Sequence, residues 1–265
     1  MTATVLAIDK AHSFRSPLPD LRRAETTVRT ASLPVQAGNR LLAMLPAPEY
    51  QRLLPHVVPV PLLLGQAIFQ AGSPAHQVFF PTDGIVSMVH LTAAGESSEL
   101  AVVGNEGVLG IFQILSGEIS WPYSSVVYAA GHALRIPASV LKQEFERCGV
   151  FFHVLMRYTQ LLMTQVAQTA VCNRHHTVEQ QLCRLILLSL DRLPSNGVVL
   201  THELIGRMLG VRREGVSQAA KHLQQAGMIQ YRRGHITVLD RAKLERRVCE
   251  CYAVVRREQH RLLMG

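Results

Sequence analysis

Residues 200–238 have the sequence LTHELIGRMLGVRREGVSQAAKHLQQAGMIQYRRGHITV. Thr201 is a favourable N-cap, because its hydroxyl can accept a hydrogen bond from a free amide of the first helical turn. The residues after it show helical spacing of apolar side chains, and Gly210 ends the helix because glycine takes a positive φ at little cost. The apolar set is Leu204, Ile205, Met208 and Leu209.

A second helix is predicted from about Arg213 to Gln225, with Val216, Ala220 and Leu223 against the first. Gly227 ends it, and two short strands at 228–231 and 235–238 follow, joined by a tight turn. The pattern predicts a helix-turn-helix with a β-wing. The outer face of the second helix carries side chains suited to base edges and phosphates, namely Arg213, Glu214, Ser217, Gln218 and Lys221.

The charge of the chain is unevenly distributed. Residues 41–150 carry 4 Lys/Arg against 8 Asp/Glu, whereas residues 195–265 carry 13 against 6, within a total of +8. A basic C-terminal part is expected if that part meets a polyanion. A helical hairpin with a glycine turn and a solvated basic face is the alternative.

Composition favours a cytoplasmic protein. No apolar run approaches the roughly 18 residues of a membrane span, and no apolar core of a secretion signal is present. The odd number of cysteines, five, favours reduced thiols over a disulfide framework.

The cysteines give little indication of a metal or cofactor. Cys249 and Cys251 are one residue apart and would point in different directions on a helix, so neither a metal site nor a cofactor is predicted. Cys172, His175 and His176 cluster near the end of a predicted long helix. A symmetric partner could double them into a metal or redox site, and a buried thiol with solvated histidines is the competing interpretation.

The N-terminal half predicts a β-domain. Residues 1–38 lack any sustained period and suggest a disordered arm, and 41–54 suggests a short helix interrupted by prolines. From Pro59 to Ile136, short β-type runs alternate with turn residues, which indicates an antiparallel, jelly-roll-like β-roll.

Helices are predicted for the remainder, at 138–147, 151–173, 178–193 (amphipathic) and beyond Asp240. The long helix has too much apolar surface for one neighbour, so it is predicted to pair with its copy in a second subunit; burial within one chain is the alternative. Its predicted dimer stripe is Phe152, Leu155, Thr159, Leu162, Val166 and Thr169, and Met156, Met163 and Ala170 widen this stripe.

The predicted fold class is α+β. The expected domains are a disordered arm (1–38), a β-roll sensor (39–150), a long dimerisation helix (151–176), a winged helix-turn-helix (177–240) and a C-terminal helical extension (241–265).

This order resembles the CRP/FNR superfamily of bacterial transcription regulators from about Leu41 to Asp240, most specifically in the sequence VRREGVSQ at 211–218. The family's Arg-Glu-Thr-Val-x-Arg pattern implies base-contacting roles for Arg213, Glu214, Ser217 and Gln218. Gln218 stands where the family usually has a second arginine, and Gly215 replaces the common threonine.

The resemblance implies a homodimer on a palindromic double-stranded DNA operator, with RNA polymerase and a small-molecule effector as further expected partners. Five residues are assigned to the phosphate backbone, where contacts are indifferent to sequence. They are Thr201, Arg212, Lys221, Arg232 and Arg233.

The family's cyclic-nucleotide site is incomplete here. That site uses an arginine for the cyclic phosphate, and no Lys or Arg occurs between Leu53 and Leu134. Cyclic AMP is therefore not the expected effector. The oxygen-sensing branch needs an N-terminal cysteine cluster, whereas the first cysteine is Cys148. Another effector, or a domain without one, remains open, and the candidate pocket residues are Gly110, Ile111, Trp121, Tyr123 and Ser124.

Two other function classes compete with DNA binding. A ligand-binding or protein-interaction module would use the helix-turn-helix to dock a protein partner. An enzyme is not expected, because the sequence shows no phosphate loop, nucleophile elbow, metal-spaced His/Glu pair or paired carboxylates in a catalytic context.

Overall fold

The computed structural model describes residues 38–116 and 123–263, so nearly all of the predicted N-terminal arm lies outside it. The described chain begins with two short helices, α1 (Arg40–Ala43) and α2 (Ala47–Leu53), separated at Pro46. Asn39 caps α1, and its side-chain amide donates to the carbonyl oxygens of Pro81 and Gly107 at 2.9 Å each. This buried amide ties the first helix to the β-domain.

The β-domain consists of two antiparallel sheets, ordered β1-β7-β3 and β2-β6-β4-β5, which confirms the predicted β-roll. The first strand, Val58–Leu62, lies at the start of the predicted β-region although it contains Pro59 and Pro61. Proline is tolerated there because the strand lies at a sheet edge. The strands are β1 (Val58–Leu62), β2 (Ala67–Phe69), β3 (Gln77–Pro81), β4 (Ile85–Leu91), β5 (Ser97–Val103), β6 (Ser124–Ala129) and β7 (Gly131–Pro137).

Alternating side chains on β4 and β5 divide the core into two parts. Val86 and Val103 face the interior of the roll, in the cluster that also includes Phe151 of the long helix. Ile85 and Val102 face outward and join a second cluster made by the C-terminal helices. Three helices complete this half, α3 (Ile111–Leu115), α4 (Ala138–Glu146) and α5 (Val150–His175).

Helix α6 (Val178–Leu190) lies between the outer face of the four-stranded sheet and the helices that follow. Thr177 begins it with a capping box that includes Gln180. Every residue from Gln181 to Leu190 is buried. The helix is thus not amphipathic as predicted, because neighbours cover it on all sides from Gln181 onward, and it ends at Leu190 rather than at Leu193.

Buried polar contacts join α6 to the β-roll. Arg192 Nε donates to Glu106 Oε1 at 2.7 Å, and each of these side chains is only 3% exposed. Arg192 also donates to the Leu188 carbonyl at 2.6 Å, and Tyr128 and Ser189 share a hydrogen bond of 3.1 Å. The position of α6 on the sheet is thus set by directional contacts as well as by apolar packing.

The C-terminal part contains the predicted winged helix-turn-helix. A three-stranded sheet, ordered β8-β10-β9, includes one strand, β8, that the sequence did not indicate. Ser97 Oγ of β5 donates to the Arg207 carbonyl at 3.1 Å, which links α7 to the roll. The elements are β8 (Gly197–Val199), α7 (His202–Leu209), α8 (Arg213–Gln225), β9 (Ile229–Arg232), β10 (His235–Val238), α9 (Arg241–Arg247) and α10 (Glu250–Leu263).

Only part of the predicted apolar stripe on the long helix α5 is free. Leu155, Leu162 and Thr169, half of the predicted dimer stripe, are buried within this chain. A neighbouring stripe, with alternating steps of four and three residues, remains partly or fully exposed. It consists of Phe152, Met156, Thr159, Met163, Val166 and Ala170.

Helix α10 packs along α5. The two run antiparallel, because Cys249 and Cys251 lie beside Cys172 near the end of α5, whereas Leu262 joins the core of the β-roll. The expected divergence of Cys249 and Cys251 was wrong: α10 starts only at Glu250, so Cys249 lies outside the helix.

No helix among the described residues combines the length and apolar character needed to cross a membrane.

Replacing Glu106 with Gln is expected to lower the free energy of unfolding by about 3 kcal/mol or more, because the buried Arg192 guanidinium loses its carboxylate partner. Chemical denaturation measures the change. Glu146→Gln, which breaks an exposed pair with Lys142, should cost under about 1 kcal/mol. Equal effects of the two substitutions would contradict this assignment.

Glu99 should make stability depend on pH. Burial raises its pKa from 4.5 to about 7 despite a 2.7 Å hydrogen bond from Ser87. The folded chain therefore keeps a proton that the unfolded chain releases, and stability falls as pH rises from about 4.5 to about 7. The stabilisation by Glu99→Gln should grow by about 2 kcal/mol between about pH 5 and about pH 8.

Denaturation of the Glu99→Gln variant at a series of pH values tests this. Ser87→Ala should act in the opposite direction, because it removes the hydrogen bond that favours the ionised carboxylate. A Glu99→Gln effect of the same size at every pH would show that Glu99 does not titrate in this window.

Candidate nucleic-acid interface

Helix α7 and the turn after it have the local structure that the sequence predicts. Thr201 Oγ1 accepts a hydrogen bond from Leu204 N at 3.1 Å, and Gly210 ends the helix with φ +66°. A Cβ on Gly206 would lie 2.9 Å from the Val211 carbonyl oxygen. Glycine is therefore required where the turn approaches α7, and this close approach fixes the direction in which α8 starts.

Helix α8 buries one face and exposes the other. Val216, Ala219, Ala220 and Leu223 are buried. The opposite face presents Arg213, Glu214, Gln218 and Lys221 to solvent. Three of the four predicted base-contacting residues thus lie on an open surface near the beginning of α8.

Ser217, the fourth, is only half exposed and already has two hydrogen-bond partners. Its hydroxyl donates to the Arg213 carbonyl at 3.0 Å and lies 2.9 Å from His202 Nδ1. Because the hydroxyl proton is used in the first bond, Nδ1 carries the proton in the second. A contact from Ser217 to DNA would have to share or replace one of these bonds.

His202 and Tyr231 form a support for this surface that the sequence analysis missed. Their rings stack with centroids 4.4 Å apart and planes 11° from parallel. Burial and the charge of Arg213 lower the pKa of His202, which favours the neutral imidazole. Tyr231 OH donates to the Leu200 carbonyl at 3.0 Å, and Tyr231 N donates to Gln224 Oε1 at 2.8 Å. The wing is therefore joined to both helices, by contacts that no local sequence pattern indicates.

The wing is a tight hairpin with a two-residue turn. Arg233 and Gly234 have φ values of +50° and +81°, as a type I′ turn requires, so both central residues adopt left-handed backbone. The Gly234 carbonyl accepts from Leu200 N at 2.7 Å, which holds the turn beside the start of α7. Arg232 and Arg233 are exposed there.

The free positive charge of this region is concentrated around α8 and the wing. Within the described residues, Arg212, Arg213, Lys221, Arg232 and Arg233 form no ion pair. Most other arginines of the C-terminal part pair with carboxylates, at Arg207–Glu203, Arg241–Asp191, Arg247–Glu179, Arg256–Glu245 and Arg261–Glu258, whereas Arg246 and Arg257 also form no ion pair with any described residue. The five unpaired cations on α8, immediately before it and on the wing suit a polyanion. Thr201 is exposed beside them, with its hydroxyl engaged in capping α7.

The predicted effector residues occupy different environments. Gly110 begins α3 with φ +97°, and Ile111 is only 1% exposed, within the core of the roll. Tyr123 packs edge-on against Phe112, and Ser124 Oγ accepts from Ala71 N at 3.2 Å. Trp121 lies outside the described residues. Ile111 thus serves the core, while Tyr123 and Ser124 lie at the start of β6.

Comparisons with known proteins match both halves of the chain. Residues 59–148 match the model of the cyclic nucleotide-binding domain, and residues 180–247 match that of the Crp-like helix-turn-helix domain. The global nitrogen regulator of Synechococcus elongatus is 22% identical over 184 residues, which cover 66% of this chain and 83% of that protein.

Solved structures show the same fold. FixK2 from Bradyrhizobium japonicum aligns with a TM-score of 0.62 at 18% identity, over 73% of this chain and 98% of its own. A CRP-family transcriptional regulator from Thermus thermophilus aligns with a TM-score of 0.61 at 19% identity, over 71% of this chain and 95% of its own.

Proposed function

Because the chain belongs to the CRP/FNR superfamily of transcription regulators, we propose that α8 enters the major groove of double-stranded DNA. The observation that carries the proposal is the unpaired cationic surface around α8 and the wing, next to an exposed Glu214 and Gln218. Backbone phosphates attract such a surface, and the polar groups between the cations can distinguish bases.

Three exposed side chains of α8 supply base contacts in this proposal. Arg213 donates to the acceptors of guanine, Glu214 accepts from the amino group of cytosine, and Gln218 makes a paired contact to adenine. Ser217 contributes less, because its hydroxyl is already engaged. The phosphate contacts come from Arg212, Lys221, Arg232 and Arg233, with Thr201 at the edge of the surface.

The proposed unit is a homodimer on a palindromic site. The exposed stripe of α5 repeats at the spacing of a two-stranded coiled coil, and Met163, 68% exposed, lies near its middle. Two-fold symmetry then places two copies of α8 in successive major grooves. Each subunit of this dimer keeps the domain boundaries predicted from the sequence. Helix α6 packs against both the β-roll and the winged helix-turn-helix.

The effector of the β-roll is not cyclic AMP in this proposal. The roll matches the cyclic nucleotide-binding domain, yet residues 53–134 provide no Lys or Arg for a cyclic phosphate. The proposed effector is instead a different small molecule, and the proposed protein partner is RNA polymerase. The proposed location is the cytoplasm, where bacterial DNA is found. The chain acts by binding rather than by catalysis.

Selection of DNA from random oligonucleotides should yield a palindromic site. Arg213→Ala with Glu214→Ala should weaken binding to it by about 100-fold or more, because lost base contacts cost about 1–3 kcal/mol each. Lys221→Ala should weaken binding to all sequences and reduce the salt slope by about 1. Fluorescence anisotropy over a salt series measures both effects.

Arg261→Ala, which removes an exposed arginine paired with Glu258 on α10, is the matched control and should bind normally. Wild-type affinity in the double variant would overturn the assignment of α8. A selection without any sequence preference would instead favour a helix-turn-helix that docks a protein partner.

Met163→Glu should dissociate the homodimer, because the exposed stripe would bring two carboxylates together in an apolar seam. Light scattering should show a monomer at concentrations where the wild type is dimeric, and operator affinity should fall at least about tenfold. Thr164→Glu is the control, since Thr164 is the next residue but lies off the stripe. A fully dimeric Met163→Glu protein would exclude this seam.

A further inference from the structure

Four potential metal ligands meet where the end of α5 contacts the beginning of α10. Cys172 lies in the last turn of α5, and His176, four residues later, is the extended C-cap residue that follows the helix. Cys249 precedes the first residue of α10, and Cys251 lies in its first turn. Their Sγ atoms and one His176 ring nitrogen all lie within 4.8 Å of one another. The break between α9 and α10 therefore brings together residues from two distant parts of the chain.

Two of the separations between these ligand atoms match those of a tetrahedral site. With Zn–S of about 2.3 Å and Zn–N of about 2.0 Å, tetrahedral geometry places two sulfurs about 3.8 Å apart and a sulfur and a nitrogen about 3.5 Å apart. Cys172 Sγ lies 3.6 Å from Cys249 Sγ, and Cys251 Sγ lies 3.6 Å from His176 Nδ1. A disulfide needs about 2.05 Å between sulfurs, so these thiols are not bonded to each other.

A buried cation lies beside the four side chains. Arg184 of α6 is 6% exposed and forms no ion pair with any described residue, and its Nε has no hydrogen-bond partner among them. Its Nη2 donates to Thr169 Oγ1 at 2.8 Å, three residues before Cys172 on α5, which places the guanidinium beside the end of that helix. Three thiolates and a neutral imidazole around a divalent ion carry one excess negative charge, which Arg184 would balance.

His176 also has the outer partner that metal-bound histidines usually have. Its Nδ1 faces Cys251, and its other nitrogen, Nε2, lies 3.2 Å from Glu250 Oε1. A proton on Nε2 directed at this carboxylate leaves the Nδ1 lone pair free and directed at the cysteines. Glu250 therefore selects the tautomer that a metal ion requires.

We propose that Cys172, His176, Cys249 and Cys251 bind one Zn²⁺ ion in a closed, structural Cys₃His site. Three of the four ligands are almost fully buried, which leaves no open position for a substrate. Soft thiolates with one imidazole select Zn²⁺ over harder divalent ions. The ion joins α10 to α5 beside the segment that leads into α6, and the displaced thiol protons pass to solvent. This role is independent of DNA binding.

The full-length protein, purified under reducing conditions without chelator, tests the site directly. Elemental analysis should find one zinc per chain. After removal of that zinc, Co²⁺ should give the intense visible bands of a tetrahedral ion and the ultraviolet thiolate-to-cobalt bands. Absence of zinc together with a weak, octahedral Co²⁺ spectrum would overturn the proposal without recourse to any variant.

Variants assign the ligands. Cys251→Ser should weaken Zn²⁺ binding at least about 100-fold in competition with a chelator, and Glu250→Gln should weaken it up to about tenfold. Cys183→Ser is the matched control, since Cys183 is equally buried but lies outside the group of four, and it should retain full zinc binding. Loss of zinc in Cys183→Ser with retention in Cys251→Ser would contradict the assignment.

Thermal unfolding separates ligand loss from misfolding. Added Zn²⁺ should raise the Tm of the zinc-free wild type, because a ligand that binds only the folded chain stabilises it, and it should leave the Tm of Cys251→Ser unchanged. Thiol trapping in intact cells followed by mass spectrometry adds one further outcome. A Cys172–Cys249 disulfide in metal-free protein would replace the proposed site with a redox pair.

Discussion

The arrangement of the chain depends on the buried ion pair between Arg192 and Glu106. Both side chains are excluded from water, and each charge is tolerable only because the other is within hydrogen-bonding distance. Such a pair has directional geometry that apolar packing alone lacks. It fixes the end of α6 on the four-stranded sheet, next to the 3.1 Å contact of Tyr128 with Ser189. Because α8 packs against α6, the position of α6 determines where the helix-turn-helix lies.

The packing around the buried helix α6 determines which faces of α8 and α5 remain exposed. The apolar face of α8 packs in the same cluster as α6, so Arg213, Glu214 and Gln218 on the opposite face are exposed to solvent. Helix α5 contacts the β-roll on one side and α10 on another, and its remaining exposed surface includes the stripe that contains Met163. The exposed faces of α8 and α5 are thus consequences of the same packing.

Local signals in the sequence were sufficient for the elements that carry their own start and stop residues. Thr201, Gly210 and Gly227 placed the helix-turn-helix almost to the residue, because capping and left-handed backbone depend on single side chains. Spacing alone could not decide which of two adjacent stripes on α5 would be covered, since the covering helix α10 comes much later in the chain. The burial of α6 likewise depends on the sheet beneath it.

The cysteines show a different limit of sequence reasoning. Cys249 and Cys251 diverge only if one helix includes both, and the interruption before Glu250 decides the matter. The stacking of His202 on Tyr231 was not predicted, because it joins α7 to β9, which are far apart in the sequence. For both the cysteines and the His202–Tyr231 pair, a tertiary contact that the sequence does not encode locally was the missing information.

Two copies of α8, one from each subunit, should bind DNA symmetrically. Hydroxyl-radical footprinting of the protein on its selected site tests this arrangement. Two protected regions related by a two-fold axis and centred one helical turn (about 34 Å) apart are expected. A single protected region, or protection that is the same on DNA of any sequence, would contradict symmetric binding by two copies of α8.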